Sequence, residues 1–142
     1  MTNAAPPVGL RHSQTIAIDA VLTVPELPSA LADFHDMPPV FATAYMVSFV
    51  EATCVAALKP FLASGQRTVG TGIEMSHSAA TPVGMTVTAE VELVEVSGRR
   101  LRFRVTCRDD AEVIGEGFHE RFIIDFGRFM ARVKAKKVGK GL

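Results

Sequence analysis

Three side chains in this sequence could together activate a nucleophile and move a proton: Thr43, Glu51 and His77. A hydroxyl, a carboxylate and an imidazole supply an attacking or positioning group, a base and a proton shuttle. Thr43 opens the apolar run Val40-Phe41-Ala42-Thr43-Ala44-Tyr45-Met46-Val47-Ser48-Phe49-Val50-Glu51. Glu51 interrupts that run where a Leu or Ala would pack more cheaply, and a carboxylate buried without a partner is costly. Its helical neighbours are Val47, Cys54 and Val55, an apolar surround in which its pKa should rise toward that of a working base. Thr43 is equally suited to cap a helix N-terminus, a place that also binds developing negative charge. His77 precedes the turn signal Thr81-Pro82-Val83-Gly84. A lone histidine there is more often a satisfied structural group than a catalytic one.

The elements that must position these groups follow from pattern. Gln14 to Val24, rich in Ile, Val and Thr, reads as a strand. Four prolines between Pro25 and Pro39 exclude regular structure and leave a long loop of the kind that covers a site. Ala44 to Leu62 has the length of a helix that is apolar on most faces and therefore buried, with Gly65 as its cap. From Thr68 the period changes to two. Thr68 to Ser78 forms a strand. Met85, Val87, Ala89, Val91 and Leu93 line one face of the next. Leu101, Phe103, Val105 and Cys107 alternate with polar residues on a third, giving it one wet face. Ser97-Gly98-Arg99 and Asp109-Asp110-Ala111 read as hairpin turns. Val113 to Phe126 is the last strand, where Gly115 and Gly117 imply a bend or a close backbone approach.

One long buried helix against a curved antiparallel sheet is an α+β layer solution, and it matches the hot-dog architecture. Such a sheet edge is commonly hidden by dimerisation, and this chain offers nothing else to cover it. Spacing demands the same. Thr43 and Glu51 on one helix lie about 12 Å apart along its axis, too far to meet at one reacting carbon. A homodimer with one helix start facing the middle of the partner's helix would bring them together.

Composition limits the partners. The 142 residues suffice for one domain, read as an extension over 1–13, the domain proper over 14–127 and a basic tail over 128–142. Lys plus Arg and Asp plus Glu balance at 15 each, so no overall field draws the chain to nucleic acid or membrane. The tail holds six basic residues from Arg128 to Lys140 without an acid. It reads as a solvated or frayed terminus, or more sharply as an attraction for phosphate. Cys54 and Cys107 lack metal-ligand spacing and read as reduced core residues. No apolar run approaches the roughly 18 residues that would suggest a membrane span. The N-terminus has no basic segment followed by an apolar one, so a cytoplasmic location is expected.

Several segments together resemble a known family. Val40-Phe41-Ala42-Thr43, Met46-Val47, Glu51-Ala52, Thr68-Val69-Gly70-Thr71, His77-Ser78-Ala79-Ala80 and Gly117-Phe118-His119-Glu120-Arg121 resemble, in order and spacing, the fluoroacetyl-CoA thioesterases and their hot-dog relatives. The resemblance runs from about residue 8 to residue 136. It implies a homodimeric acyl-CoA thioesterase with Thr43, Glu51 and His77 as catalytic residues, Gly70 lining the acyl and coenzyme A site, and Arg121 contacting substrate. No cofactor or metal is implied; coenzyme A enters as part of the substrate. One departure stands out: where the family carries a phenylalanine lid over the acyl group, this chain has Met37. A flexible thioether cannot reproduce a rigid ring's fit, so the chemistry carries over better than the substrate. The expected reaction is hydrolysis of a short acyl-CoA. His77 would be general acid/base, Glu51 would activate water or attack directly, and Thr43 would hold the attacking group or be the nucleophile. The alternatives are a non-catalytic acyl-CoA-binding or sensing module, and an acyl-CoA dehydratase or isomerase that would release no thiol.

Overall fold

A computed structural model describes residues 5–140. Five strands and two α-helices follow in the order β1 (Arg11–Ala17), α1 (Thr43–Leu58), β2 (Gln66–Met75), β3 (Thr86–Ser97), β4 (Arg100–Asp109), β5 (Val113–Asp125) and α2 (Phe126–Gly139). All neighbours in the sheet are antiparallel, in the order β1-β3-β4-β5-β2. α1 lies across one face, so the expected α+β hot-dog layering is what the chain adopts.

Period-two alternation decides which strand faces meet the helix. Val87, Ala89, Val91 and Leu93 of β3 are buried with Leu101, Phe103, Val105 and Cys107 of β4. Against them pack Met46, Phe49, Val50, Cys54, Ala57 and Leu58 of α1. The opposite face of β4 carries Arg100, Arg102, Arg104 and Arg108, which pair with Glu95, Glu120, Glu92 and Glu90 across the neighbouring strands. These exposed pairs add little stability but keep the outer face soluble. Both thiols are free and buried, and desolvation pushes Cys54 up to about 12 and Cys107 to about 11. They are inert core residues.

Gly115 and Gly117 serve a close approach. A Cβ at Gly115 would overlap the Ser76 carbonyl just beyond β2, and one at Gly117 the Glu74 carbonyl of the paired strand β2. Backbone cannot yield as a side-chain tip can, so glycine is required at both.

Several boundaries differ from the sequence reading, each for a local reason. β1 begins at Arg11, inside the stretch expected as an extension, and ends at Ala17. There Asp19 accepts from the Val21 N–H at 3.1 Å and turns the chain. Residues 1–4 and 141–142 of the expected extension and tail lie outside the described residues. The proline-rich segment is not irregular throughout: it forms short 3₁₀ turns at Val24–Glu26 and Ser29–Asp36, since proline's fixed φ suits the first turn. α1 ends at Leu58 and passes into the 3₁₀ turn Lys59–Phe61, because Pro60 has no N–H to continue the ladder. Lys59 is the C-cap of α1, and Gly65 lies beyond the helix; its carbonyl accepts from Phe126 instead. β2 stops at Met75, leaving His77 just beyond it. The basic tail is not a frayed end: Phe126–Gly139 is helical and exposed.

By length and mean hydropathy alone, the continuous helical stretch Thr43–Phe61 would reach across a bilayer, contrary to the sequence estimate. Its packing on the sheet and the carboxylate of Glu51 midway mark it as the core helix of the fold.

Candidate active site

The start of α1 is pinned before any side chain chemistry is considered. Phe41 N–H donates to the Thr81 carbonyl at 2.9 Å, and Ala42 N–H to the Leu22 carbonyl at 3.0 Å. Ala42 is the N-cap and Thr43 the first helical residue, so Thr43 does not cap the helix. Its hydroxyl turns instead to His77, with Oγ1 2.6 Å from Nδ1. His77 is presented by the segment after β2, where the N–H groups of Ser76 and Ser78 still donate to the Glu116 and Ile114 carbonyls. Phe41 stands edge-on to the imidazole. The other ring nitrogen, Nε2, is buried and has no hydrogen-bond partner among the described residues. Burial holds the imidazole below its ordinary value, only partly opposed by the backbone at Ala79. Thr43 and His77 border a cavity of about 220 Å³ together with Val24, Val40 and Phe41.

Glu51 lies two turns further along α1 in quite different company. Its Oε2 accepts from Arg121 NH1 at 2.8 Å. Arg121, only 5% exposed, is itself clamped on β2: Nε donates to Thr68 Oγ1 at 2.8 Å and NH2 to the Thr68 carbonyl at 2.9 Å. The expected apolar surround therefore fails. Val47, Cys54 and Val55 do flank Glu51 along the helix, but strands remote in sequence bring a guanidinium to it.

Gly70 completes this group. It stands opposite Arg121 in the β2–β5 register, next to a bulge that skips to Gly72 opposite Glu120. A Cβ on Gly70 would come within 2.6 Å of Glu51 Oε2. Because the obstructed atom is the tip of a flexible side chain, Gly70→Ala should fold normally but displace the carboxylate. A misplacement of this order is expected to lower kcat by about 10²-fold with the melting temperature little changed. Steady-state kinetics beside a thermal melt checks it, and unaltered kcat would show that Glu51 need not sit against the strand.

Within a single chain these residues form two groups, not one. Thr43 with His77 and Glu51 with Gly70 line separate cavities, about 12 Å apart along α1, and Arg121 stands behind Glu51. Met37, 47% exposed, lines neither. Two partners of Arg121 escaped the sequence reading: Thr68 and His119. His119 Nε2 lies 3.1 Å from Arg121 NH1. Its position two residues from Arg121 on a strand, hence on the same face, was the available signal. Among the described residues no three His, Cys, Asp or Glu side chains are placed to hold a metal ion.

Comparison with known proteins decides the family. The family model for fluoroacetyl-CoA-specific thioesterase matches residues 25–126. The chain belongs to the fluoroacetyl-CoA-specific thioesterase family. It is a thioester hydrolase by that membership. The fluoroacetyl-CoA thioesterase of Streptantibioticus cattleyicolor is 42% identical to it over 129 residues, 91% of this chain and 93% of that protein. A solved structure of a fluoroacetyl-CoA thioesterase superposes with a TM-score of 0.89 at 42% identity, covering 92% of this chain and 96% of the other. A hot-dog-like protein from Thermanaerovibrio acidaminovorans, 23% identical, shares the fold with a TM-score of 0.79 over 92% of each chain.

Proposed function

We propose that this thioesterase hydrolyses a short acyl-CoA to the free acid and coenzyme A, at a site assembled between two copies of the chain. The observation that carries the composite site is the separation of the two residue groups on one helix. Each group is incomplete alone. The Thr43–His77 pair has a buried Nε2 without a hydrogen-bond partner among the described residues, and the Glu51 group opens beside β2. Among the described residues that strand has no neighbour on its outer side in the sheet, and it exposes Ile73. A ten-residue unpaired edge is a template for pairing with another chain. A twofold axis perpendicular to this edge and to α1 would set two β2 strands and two α1 helices antiparallel, bringing Thr43 of each near Glu51 of the other. The relatives support the substrate class: one solved fluoroacetyl-CoA-specific thioesterase carries fluoroacetate and coenzyme A.

In this site Glu51 takes a proton from water as the hydroxyl adds to the thioester carbonyl carbon, or attacks that carbon itself; both routes need the carboxylate. N–H groups in the first turn of α1, which no side chain caps, face the developing oxyanion. The tetrahedral adduct collapses with cleavage of the C–S bond, and the proton that Glu51 took from water passes through His77 to the departing thiolate sulfur. On the direct route the collapse leaves an acyl–Glu51 anhydride, and the water that hydrolyses it returns the carboxylate and supplies that proton. Thr43 orients the attacking group through its contact with His77. Coenzyme A is part of the substrate, not a resident cofactor. Met37, near the proline-rich turn, belongs to the cover over the acyl group, Gly70 lines the acyl site, and Arg121 holds Glu51 where the substrate meets it. Two free buried thiols fit a reducing, cytoplasmic setting.

Release of free thiol from a panel of short acyl-CoAs tests the activity, and its absence across the panel would leave a binding module. The pH profile tests His77. To accept a proton the imidazole must be neutral, and burial lowers its pKa. Activity should therefore persist below about pH 6.5, the ordinary imidazole value, and fall only as pH drops through the lowered one. The acid limb of kcat/KM should vanish in His77→Ala; a limb that survives there belongs to another group.

A further inference from the structure

His119 is 2% exposed and has no part in the mechanism above, yet its ring makes two close polar contacts. Nδ1 lies 2.7 Å from the Gly72 carbonyl oxygen, and Nε2 lies 3.1 Å from Arg121 NH1. A carbonyl oxygen can only accept, so Nδ1 carries a proton and donates it. A guanidinium N–H can only donate, so Nε2 must present a lone pair. We propose that His119 is a positioning residue for the Glu51–Arg121 pair, with its proton on Nδ1 and its Nε2 lone pair accepting from Arg121. This rests on the reading of Glu51 as a catalytic group.

The alternatives fail on geometry. The opposite tautomer would set two lone pairs face to face at Gly72 and two donors face to face at Arg121. A doubly protonated ring would keep the Gly72 bond but again oppose the guanidinium. Its Nε2 is 3.7 Å from Glu51 Oε2, too far for a hydrogen bond. Burial, the largest influence, also pulls the ring below its ordinary pKa. The Arg121 charge adds to this, while the Gly72 hydrogen bond, Glu51 and Glu120 oppose it.

The consequence for Arg121 is complete orientation. NH1 gives one hydrogen to Glu51 and the other to His119, while Nε and NH2 hold Thr68. Gly72, which anchors the imidazole, ends the bulge that also brings Gly70 against Glu51. One backbone irregularity thus seats the carboxylate and fixes the ring behind its partner. Without the imidazole acceptor, Nε and NH2 still hold Thr68, but NH1 keeps Glu51 as its single partner, so that end of the guanidinium can shift and take the carboxylate with it.

Two substitutions separate the ring's two contacts. His119→Gln reaches the Nε2 position with an amide oxygen and keeps an acceptor for Arg121. His119→Asn reaches only the Nδ1 position and keeps a donor for Gly72. We expect His119→Asn to lower kcat by about 10²-fold with KM little changed, and His119→Gln to stay within a few-fold of wild type. Nitrogen-15 NMR of the histidine ring in the unmodified protein at neutral pH should show a protonated Nδ1 and an unprotonated Nε2. Equal losses in both variants, no loss in His119→Asn, or a proton on Nε2 would each overturn the proposal. Should His119→Asn fail to fold, the ring spectrum and the activity of His119→Gln still decide. Near wild-type kcat in Glu51→Gln would instead overturn the reading of Glu51, a result distinct from the ring tautomer and the Asn–Gln contrast.

Discussion

Glu51→Gln is expected to lower kcat by about 10²-fold or more, the range for removing a general base. Glutamine keeps the shape and still offers an oxygen to Arg121 NH1, 2.8 Å away in the parent, but cannot take a proton or attack a carbonyl. The structure alters what should happen to stability. In an apolar surround, removing the charge would relieve a burial cost, and the variant would melt no lower than the parent. With a guanidinium 5% exposed as its partner, the same change strips a buried cation of its counter-ion. Breaking a fully buried pair from one side costs about 3–5 kcal/mol. The Glu51 side chain is 39% exposed, so solvent screens the pair and the loss should fall well short of that. The expected outcome is a variant nearly inactive and modestly less stable. Near wild-type kcat would remove Glu51 from the mechanism, and an unchanged or raised melting temperature would show that the pair contributes nothing net.

Mixing two inactive variants should restore activity. Thr43→Val removes the hydroxyl that meets His77 Nδ1 at 2.6 Å, and Glu51→Gln removes the carboxylate two turns further along the same helix. In a composite site, a mixed dimer has one site with both defects and one intact. Random subunit exchange makes half the dimers mixed, so about a quarter of wild-type activity should return. The measurement is thiol release before and after exchange, with mixed dimers verified by mass spectrometry. No recovery despite verified exchange would place both groups in one subunit's site. The separation along α1 would then have to be closed by movement of the helix start.

What was legible in the sequence was set by short-range periodicity. Alternation over Met85–Leu93 and Leu101–Cys107 identifies the buried strand faces because successive strand residues point to opposite sides. The apolar run after Ala44 marks the core helix for a different reason: it is too long for a strand and apolar on most faces, so it must be buried. The resemblance of its motifs placed the chain in its family before any coordinates. Gly115 and Gly117 announced a close backbone approach, though not which strand approaches.

Tertiary structure alone decided what each reactive group faces. Thr43 looked like a cap because capping is a local property; its hydroxyl belongs instead to His77, 34 residues away. Glu51 looked isolated because only its helical neighbours could be read, while Arg121 reaches it from 70 residues further along the chain. That meeting depends on the β2–β5 register and on the bulge between Gly70 and Gly72. A register is fixed by the packing of whole strand faces, so no local pattern announces it. The end of β1 at Ala17 and the helix in the basic tail escaped for the converse reason. There a single Asp19 hydrogen bond and an exposed, weakly patterned helix left no periodic signal strong enough to read.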